Sequence, residues 1–158
     1  TDLIDGVRAA VAVRADWACT AQLVAKQLRA HLPDPDVLTA EQRRGSPDDY
    51  RVHNLYVEPD GSFSIIAAVW RTGQITRIHD HVTWCALGVI QGVEYEELFD
   101  AELNLVGRNE NHVGEVSGFA PPGDIHRVRN TGETTAISIH VYGTDLSRVG
   151  SSARRYYD

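Results

Sequence analysis

The hydrophobic pattern of the chain changes its period at Arg51, and this change limits the folds available to it. Before Arg51, apolar residues recur at intervals of three and four, as on one face of a helix. From Arg51 onward, short stretches such as "RVHNLYV" and "SFSIIAAVW" are separated by turn sequences such as "EPDG" and "RTGQ". The pattern predicts two short helices followed by about seven or eight antiparallel strands, which form a sandwich or a barrel.

The length of the chain is that of one compact unit. Its 158 residues are enough to bury about two-thirds of the unfolded surface around one core. We therefore expect one domain over residues 1–158, with a helical segment and loop at 1–49 and a β-barrel at 50–158. Within the first part, "TAEQRRGSPDDY" is expected to be a surface loop with one helical turn.

The charge of the chain argues against polyanionic partners. There are 22 acidic and 15 basic residues, with a formal net charge of −7 and no basic run, so neither nucleic acid nor an anionic membrane surface is an expected partner. No stretch approaches the length of a membrane span. Two cysteines are too few for a disulfide framework. We expect a cytoplasmic protein with reduced thiols, either a monomer or a small homo-oligomer.

Three histidines suggest a metal site. His79 and His81 are two residues apart in a predicted strand, so their side chains point to the same face. His126 follows a turn in a distant hairpin. Two imidazoles from one strand and a third from another are typical of a three-histidine metal face that is open on its other side.

These residues belong to two longer patterns. In the first, Gly73 precedes "HDH", and Cys85 and Gly92 follow it; in the second, "PPGDIH" ends at His126 and is followed by Asn130. The two patterns resemble the two cupin motifs, with cysteine where most cupins carry a metal-binding glutamate. Together with "SIHVY" they resemble the thiol dioxygenase family, which includes cysteine dioxygenase and 3-mercaptopropionate dioxygenase.

The resemblance implies a fold and an activity. The fold is mainly β, a single cupin (jelly-roll) β-barrel preceded by short N-terminal helices. The activity is oxidation of the sulfur of a small thiol by O2, with Fe(II) on His79, His81 and His126. The family's Ser-His-Tyr relay beside the metal corresponds to Ser138, His140 and Tyr142.

The chemistry of the three ligands agrees with this implication. Three neutral imidazoles leave a divalent ion with its full charge and with vacant positions, which favours an anionic ligand such as a thiolate. Three histidines do not fix the metal, because the Irving–Williams order favours Ni(II) over Fe(II) in such a site. Fe(II) follows from the resemblance, and Ni(II) stays an alternative.

Cys85 has two interpretations. In the animal members of the family, the corresponding cysteine is joined through sulfur to the tyrosine that corresponds to Tyr142, so a thioether cross-link is one. The other is that Cys85 is a small buried hydrophobic residue.

The substrate contacts depart from the family pattern. Animal enzymes hold the substrate carboxylate with an arginine that precedes an Asn-Leu pair, and this chain has His53 there. Arg51 would share the face of His53 in a regular strand and could supply the guanidinium. Trp84 is expected to be either a wall of the pocket or part of the core.

Several functions therefore stay open. L-cysteine is the first expected substrate, and 3-mercaptopropionate or another thiol carboxylate is the second. Altered carboxylate contacts also allow a diverted outcome, such as decarboxylation or sulfur–nitrogen bond formation. A cupin that cleaves carbon–carbon bonds and a non-catalytic cupin that binds a small ligand are the alternatives of other classes.

Overall fold

The computed structural model describes residues 1–158 and begins with helices. The helical elements are α1 (Asp2–Ala12), α2 (Trp17–Ala30), a 3-10 turn (Pro35–Val37), α3 (Ala40–Arg43) and, after the ninth strand, α4 (Leu146–Val149). Asp16 caps α2, since its carboxylate accepts a hydrogen bond of 2.8 Å from the Cys19 amide. The two predicted helices and the single helical turn of the loop are present, the turn as α3.

Ten strands follow. They are β1 (Arg51–Val57), β2 (Ser64–Trp70), β3 (His79–His81), β4 (Cys85–Gln91), β5 (Glu94–Phe99), β6 (Leu105–Asn111), β7 (Val116–Phe119), β8 (His126–Arg129), β9 (Ala136–Tyr142) and β10 (Ala153–Tyr156). They form two antiparallel five-stranded sheets, ordered β1-β2-β9-β4-β7 and β10-β3-β8-β5-β6. The mainly β, jelly-roll architecture is confirmed, but the strands pair into two separate sheets rather than into one closed barrel.

The first sheet is covered on both faces. Every residue of β2 and of β9 is buried, as expected for strands that lie between two packed layers. On one face, α1 and α2 pack on the sheet and share with it a cluster of 17 buried hydrophobic residues. The other face looks toward the second sheet. Each strand of this sheet therefore sends alternate residues into the core and toward the interior between the sheets.

One glycine allows α2 to lie directly on the sheet. A Cβ atom added to Gly118 in β7 would lie 2.5 Å from the carbonyl oxygen of Ala21 in α2, too close for any side chain. This contact brings the helix onto the outer face of the sheet and leaves the inner face free for polar residues. No helix of the structure has the length and apolar character needed to cross a membrane.

Candidate active site

His79, His81 and His126 meet in the interior between the sheets. His79 and His81 are the two ends of β3, and His79 is the cross-strand partner of His126 in β8. One ring nitrogen from each of the three lies within 4.8 Å of the others. The strand parity that predicted a shared face for His79 and His81 therefore agrees with the structure, and His126 completes the group.

Each imidazole is held through its Nδ1 atom by an oxygen. The acceptors are the Arg77 carbonyl for His79 at 2.7 Å, the Asp124 carboxylate for His81 at 2.9 Å and the Glu96 carboxylate for His126 at 2.6 Å. An Nδ1–H that donates to an oxygen leaves the lone pair on Nε2. The three rings therefore present three Nε2 donors to one point, and this set fits a divalent metal ion.

The surroundings favour neutral rings. Burial, followed by the neighbouring His126 and His81, lowers the pKa of His79 to about 3. Burial also lowers the pKa of His81. Neutral imidazole is the form that binds a metal. The ring of Phe119 packs on His81 and His126 at centroid distances of 4.8 and 5.2 Å and limits their movement.

Ser138, His140 and Tyr142 form a line of hydrogen-bonding groups on the inner face of β9. The hydroxyl oxygen of Ser138 lies 2.7 Å from His140 Nε2, and His140 Nδ1 lies 3.0 Å from the hydroxyl oxygen of Tyr142. All three residues are buried. Burial lowers the pKa of His140 to about 3, so the ring is neutral and carries one proton, on either Nδ1 or Nε2.

Cys85 lies beside Tyr142. The two residues are cross-strand partners in β4 and β9, and they belong to the same small hydrophobic cluster. Cys85 is fully buried, and burial raises the pKa of its thiol and that of the Tyr142 phenol. Tyr142 lines the cavity described next, whereas Cys85 lies behind it.

A cavity of about 410 Å³ connects the three histidines with the hydroxyl of Tyr142. Its wall is made by residues of β1, β2, β3, β7, β8, β9 and α4 and by the segment after α4, and it contains no Lys, Arg, Asp or Glu. The lining residues are Tyr50, Val52, Asn54, Ile66, Ala68, Trp70, Thr76, His79, His81, Phe119, His126, Val128, His140, Tyr142, Leu146, Gly150, Ser151 and Ser152. The cavity therefore has uncharged polar groups and no cationic side chain.

The structure does not bring Arg51 or His53 to this cavity. Val52 and Asn54 of β1 line it, so Arg51 and His53, which alternate with them, point to the opposite face. There Arg51 is exposed and donates a hydrogen bond of 3.0 Å to the Ser46 hydroxyl. The expected carboxylate contact from Arg51 or His53 is corrected by this parity: the two do share a face, but it is the face turned away from the three histidines.

Trp84 lies in the core rather than in the pocket wall. It is 4% exposed and belongs to the hydrophobic cluster between the helices and the sheet. Of its two predicted positions, the structure has the core position.

Sequence reasoning missed the carboxylates that hold the imidazoles. Asp124 lies within the second motif, and Glu96 is one of two acidic residues at alternate positions of "VEYEELF", with Glu94 as the other. Acidic residues that alternate with the outward positions of a strand are a signal for an inward-facing pair. Glu94 and Glu96 are both buried.

The short strand β3 is held from its other edge. β10 pairs with it, and Asp80, between the two histidines, accepts hydrogen bonds from the Arg154 guanidinium and, at 2.9 Å, from the Tyr157 hydroxyl. The backbone that carries two of the three imidazoles is therefore fixed by residues about seventy positions away in the sequence.

Solved structures with a similar fold include proteins described as cupins. The chain superposes on an RmlC-like cupin protein from Desulfovibrio desulfuricans with a TM-score of 0.51 and 15% identity, covering 72% of this chain and 98% of that one. A protein with a double-stranded β-helix domain from Klebsiella pneumoniae gives a TM-score of 0.54 at 17% identity, covering 66% and 84%. At these identities the likeness concerns the fold alone.

Sequence comparison gives the family. Cysteine dioxygenase type 1 of Homo sapiens is 33% identical over 104 residues, 60% of this chain and 52% of that protein. Its Danio rerio counterpart is 30% identical over 105 residues, again 60% and 52%. The chain thus spans about half the length of the curated relatives it matches. The family model described as cysteine dioxygenase type I matches residues 15–155, nearly the whole chain, and the chain therefore belongs to the cysteine dioxygenase type I family.

Proposed function

We propose that this chain is a metal-dependent dioxygenase that oxidises the sulfur of a small thiol to a sulfinate, with L-cysteine as the first substrate to test. The observation that supports the proposal is the cavity in which three Nε2 donors, without a carboxylate ligand, face the Tyr142 hydroxyl. Membership of the cysteine dioxygenase type I family supports the same activity.

His79, His81 and His126 would hold the metal, for which we propose Fe(II), with Ni(II) as the alternative. When bound, the metal supplies the binding and activation of thiolate and O2. Glu96 and Asp124 keep the rings of His126 and His81 in the orientation that exposes Nε2. No carboxylate joins the ligand set, so the full positive charge of the ion is available to an anionic thiolate.

The remaining residues position the substrate and exclude water. Phe119, Val128 and Leu146 form apolar walls, and such walls keep bulk water from the reacting sulfur. His140 holds the Tyr142 hydroxyl at the edge of the cavity, where it acts as a hydrogen-bond donor or acceptor toward the substrate. The chain thereby contributes orientation and a placed proton rather than a general base.

The absence of a cationic group from the cavity wall bears on the substrate. A carboxylate would meet uncharged donors such as Tyr50, Asn54 and Ser152 instead of a guanidinium. We therefore propose that this cavity discriminates less strongly between thiols with and without a carboxylate than a cavity with an arginine would. Two alternative substrates therefore stand beside L-cysteine, 3-mercaptopropionate and another thiol carboxylate. The alternative outcome with cysteine is decarboxylation or sulfur–nitrogen bond formation.

Oxygen uptake with a panel of thiols, on protein of measured metal content, tests the proposal. We expect uptake with at least one of L-cysteine, 3-mercaptopropionate and cysteamine, together with a sulfinate detected by mass spectrometry. His79→Ala, His81→Ala and His126→Ala should each lose most of the metal and the activity. The control is His112→Ala, because His112 is exposed and pairs only with Glu110.

Two results would contradict the proposal. Near-stoichiometric metal in all three alanine variants would exclude the three-histidine site. Tight binding of a thiol without oxygen uptake, in protein loaded with either Fe(II) or Ni(II), would instead support the alternative of a non-catalytic cupin that binds a small ligand.

We also propose that Cys85 and Tyr142 form a thioether during turnover. Joining the sulfur to the phenol ring removes one hydrogen from each partner, and O2 is the oxidant that accepts them. The pairing of the two residues across β4 and β9 supports this bond. Intact mass and peptide analysis after many turnovers should find a loss of the mass of two hydrogen atoms, absent from Cys85→Gly. Full recovery of the unmodified peptides would leave Cys85 as a packing residue.

A further inference from the structure

Glu94 is a buried acid whose carboxyl group forms no well-aligned hydrogen bond, although the Ser138 hydroxyl is its neighbour. It lies in β5 with 1% of its surface exposed, and neither of its carboxyl oxygens has a partner in hydrogen-bonding geometry. A buried carboxylate without partners is strongly unfavourable, so such a group takes up a proton.

The group that faces Glu94 is the hydroxyl of Ser138. Ser138 acts on the carboxyl as a hydrogen-bonding neighbour, and the charged group that acts on it is Glu96, on the same face of β5. Its cross-strand partner in β6 is the uncharged Asn111. Burial is the main cause that raises the pKa of Glu94 to about 8, and the charge of Glu96 adds to it. At neutral pH the side chain is therefore a carboxylic acid, which is a hydrogen-bond donor.

Ser138 connects this acid to the line that ends in the cavity. Its hydroxyl has one proton to donate, and it lies 2.7 Å from His140 Nε2. A neutral imidazole has one donor nitrogen and one acceptor nitrogen. The direction of the Ser138 hydroxyl therefore decides which nitrogen of His140 carries the proton, and this in turn decides whether Tyr142 accepts or donates.

We propose that Glu94 is a positioning residue that sets the direction of the Ser138–His140–Tyr142 line. As a neutral acid it donates to the Ser138 hydroxyl oxygen, and Ser138 then donates to His140 Nε2. The proton of His140 is consequently on Nδ1 and is donated to the oxygen of Tyr142, which leaves the phenolic proton for the neighbouring Ser152 hydroxyl or for a ligand in the cavity. The effect on turnover rests on the proposed dioxygenase function, whereas the effect on the His140 tautomer does not.

Ionised Glu94 reverses every bond in the line. The carboxylate accepts from Ser138, His140 carries its proton on Nε2 and donates it to Ser138, and Nδ1 accepts from the Tyr142 hydroxyl. The phenolic proton is then directed away from the cavity. One proton on Glu94 thus determines whether the cavity meets a donor or an acceptor at Tyr142.

The His140 tautomer is measurable without turnover. Long-range ¹H–¹⁵N NMR spectra of the full chain, labelled at histidine and loaded with diamagnetic Zn(II) or left without metal, distinguish Nδ1–H from Nε2–H. The signal of His140 is the one missing from His140→Gln. We expect Nδ1–H in the native chain near pH 6 and a shift toward Nε2–H near pH 9.

Two variants and one control complete the test. Glu94→Gln retains a donor that does not ionise, so its Nδ1–H tautomer should persist at both pH values. Glu94→Leu removes the donor and should yield a mixture of tautomers. Glu97→Gln is the matched control, since Glu97 is in the same strand but pairs with Arg127, and it should behave like the native chain. An Nε2–H tautomer near pH 6, or one unchanged tautomer in all variants at both pH values, would overturn the proposal.

Kinetics separate this proposal from the proposed function. If a thiol is oxidised, Glu94→Leu should lower kcat about tenfold with little change in KM, and Glu94→Gln should largely restore kcat. If no thiol is oxidised by the native chain, the NMR result still decides the role of Glu94. If Glu94→Leu alters the tautomer of His140 but retains the native kcat, Glu94 sets the tautomer without affecting turnover.

Discussion

The two faces of strand β9 are both buried but carry different kinds of side chain. Ile137, Ile139 and Val141 point toward the helices and belong to the 17-residue hydrophobic cluster. Ser138 and His140, which alternate with them, are also buried but point toward the second sheet and hydrogen-bond to each other. Water is excluded from both faces. One face stabilises the fold through hydrophobic packing, and the other keeps polar groups in a hydrogen-bonded arrangement. Burial alone therefore does not distinguish a core residue from a site residue, whereas strand parity does.

The largest expected effect follows from a substitution on the face of β9 that packs against the helices. Ile139→Ala removes a side chain that has no exposed surface, and we expect a loss of about 2–5 kcal/mol in the free energy of unfolding. Metal content per folded molecule should not change. Urea denaturation and metal analysis measure the two quantities.

The matched change on the cavity face is His140→Ala. Because it borders an existing cavity, we expect it to cost less than about half as much stability as Ile139→Ala while it lowers kcat. Equal losses of stability in the two variants would mean that the cavity face also acts as structural core.

The second effect concerns Glu94, the titratable group on the cavity side with a pKa raised to about 8. In the unfolded chain an ordinary glutamate ionises near pH 4.5, so between these two values the folded chain binds more protons. Its stability therefore falls as pH rises through this window, by at most about 1.4 kcal/mol per pH unit from this group, and levels off above it. We expect Glu94→Gln to remove this slope.

Urea unfolding of both proteins at pH 5, 6, 7 and 8 measures the slope. The difference between them isolates Glu94, because all other titrating groups are shared. Parallel curves would show that Glu94 is ionised at neutral pH.

A smaller effect, on metal affinity, should distinguish two neighbouring acids of β5. Glu96 points inward and holds His126, whereas Glu97 points outward and binds Arg127. We expect Glu96→Gln to weaken metal binding about tenfold or more, since the amide is a poorer acceptor for the imidazole N–H. Glu97→Gln should bind metal normally. Competition with a chelator gives both affinities, and equal values would contradict the proposed role of Glu96.

The smallest expected effect, on KM, should distinguish the two faces of β1. Asn54 lines the cavity and Arg51 does not. We expect Asn54→Ala to raise KM for L-cysteine by about threefold, which corresponds to the loss of one uncharged hydrogen bond. Arg51→Ala should leave kcat and KM as they are. A large rise in KM for Arg51→Ala would show that β1 turns its other face to the substrate.

The sequence was sufficient to predict relations within a strand. A period of two places His79 with His81, and Ser138 with His140 and Tyr142, whatever the rest of the fold does. The family motifs extended these pairs to His126. What the sequence did not reveal is which face of β1 turns inward. Both of its faces carry partly buried residues, and the choice depends on the register with β2, where Val52 pairs with Ala68.

The second sheet was harder to predict. β6 has the sequence "LVGRNEN", which is mostly exposed and shows no alternation of polar and apolar residues. It forms a strand because it pairs with the edge of β5. Such a pairing depends on tertiary contacts, so no local sequence pattern predicts it. Glu94 was missed for a related reason, because a buried acid contradicts the hydrophobic pattern by which inward positions are recognised.

The pairing of β3 with β10 allows the site to open without unfolding of the whole protein. β3 is only three residues long, and Asp80 in its middle is held by Arg154 and Tyr157. Release of β10 would leave β3 and its two histidines held by the pairing with β8 alone, while the large hydrophobic cluster stays intact, so this opening costs less free energy than global unfolding. Amide hydrogens of β3 should therefore exchange with solvent sooner than those of β9. The lifetime of a bound metal would then be set by how often one short ladder opens, and not by how stable the whole protein is.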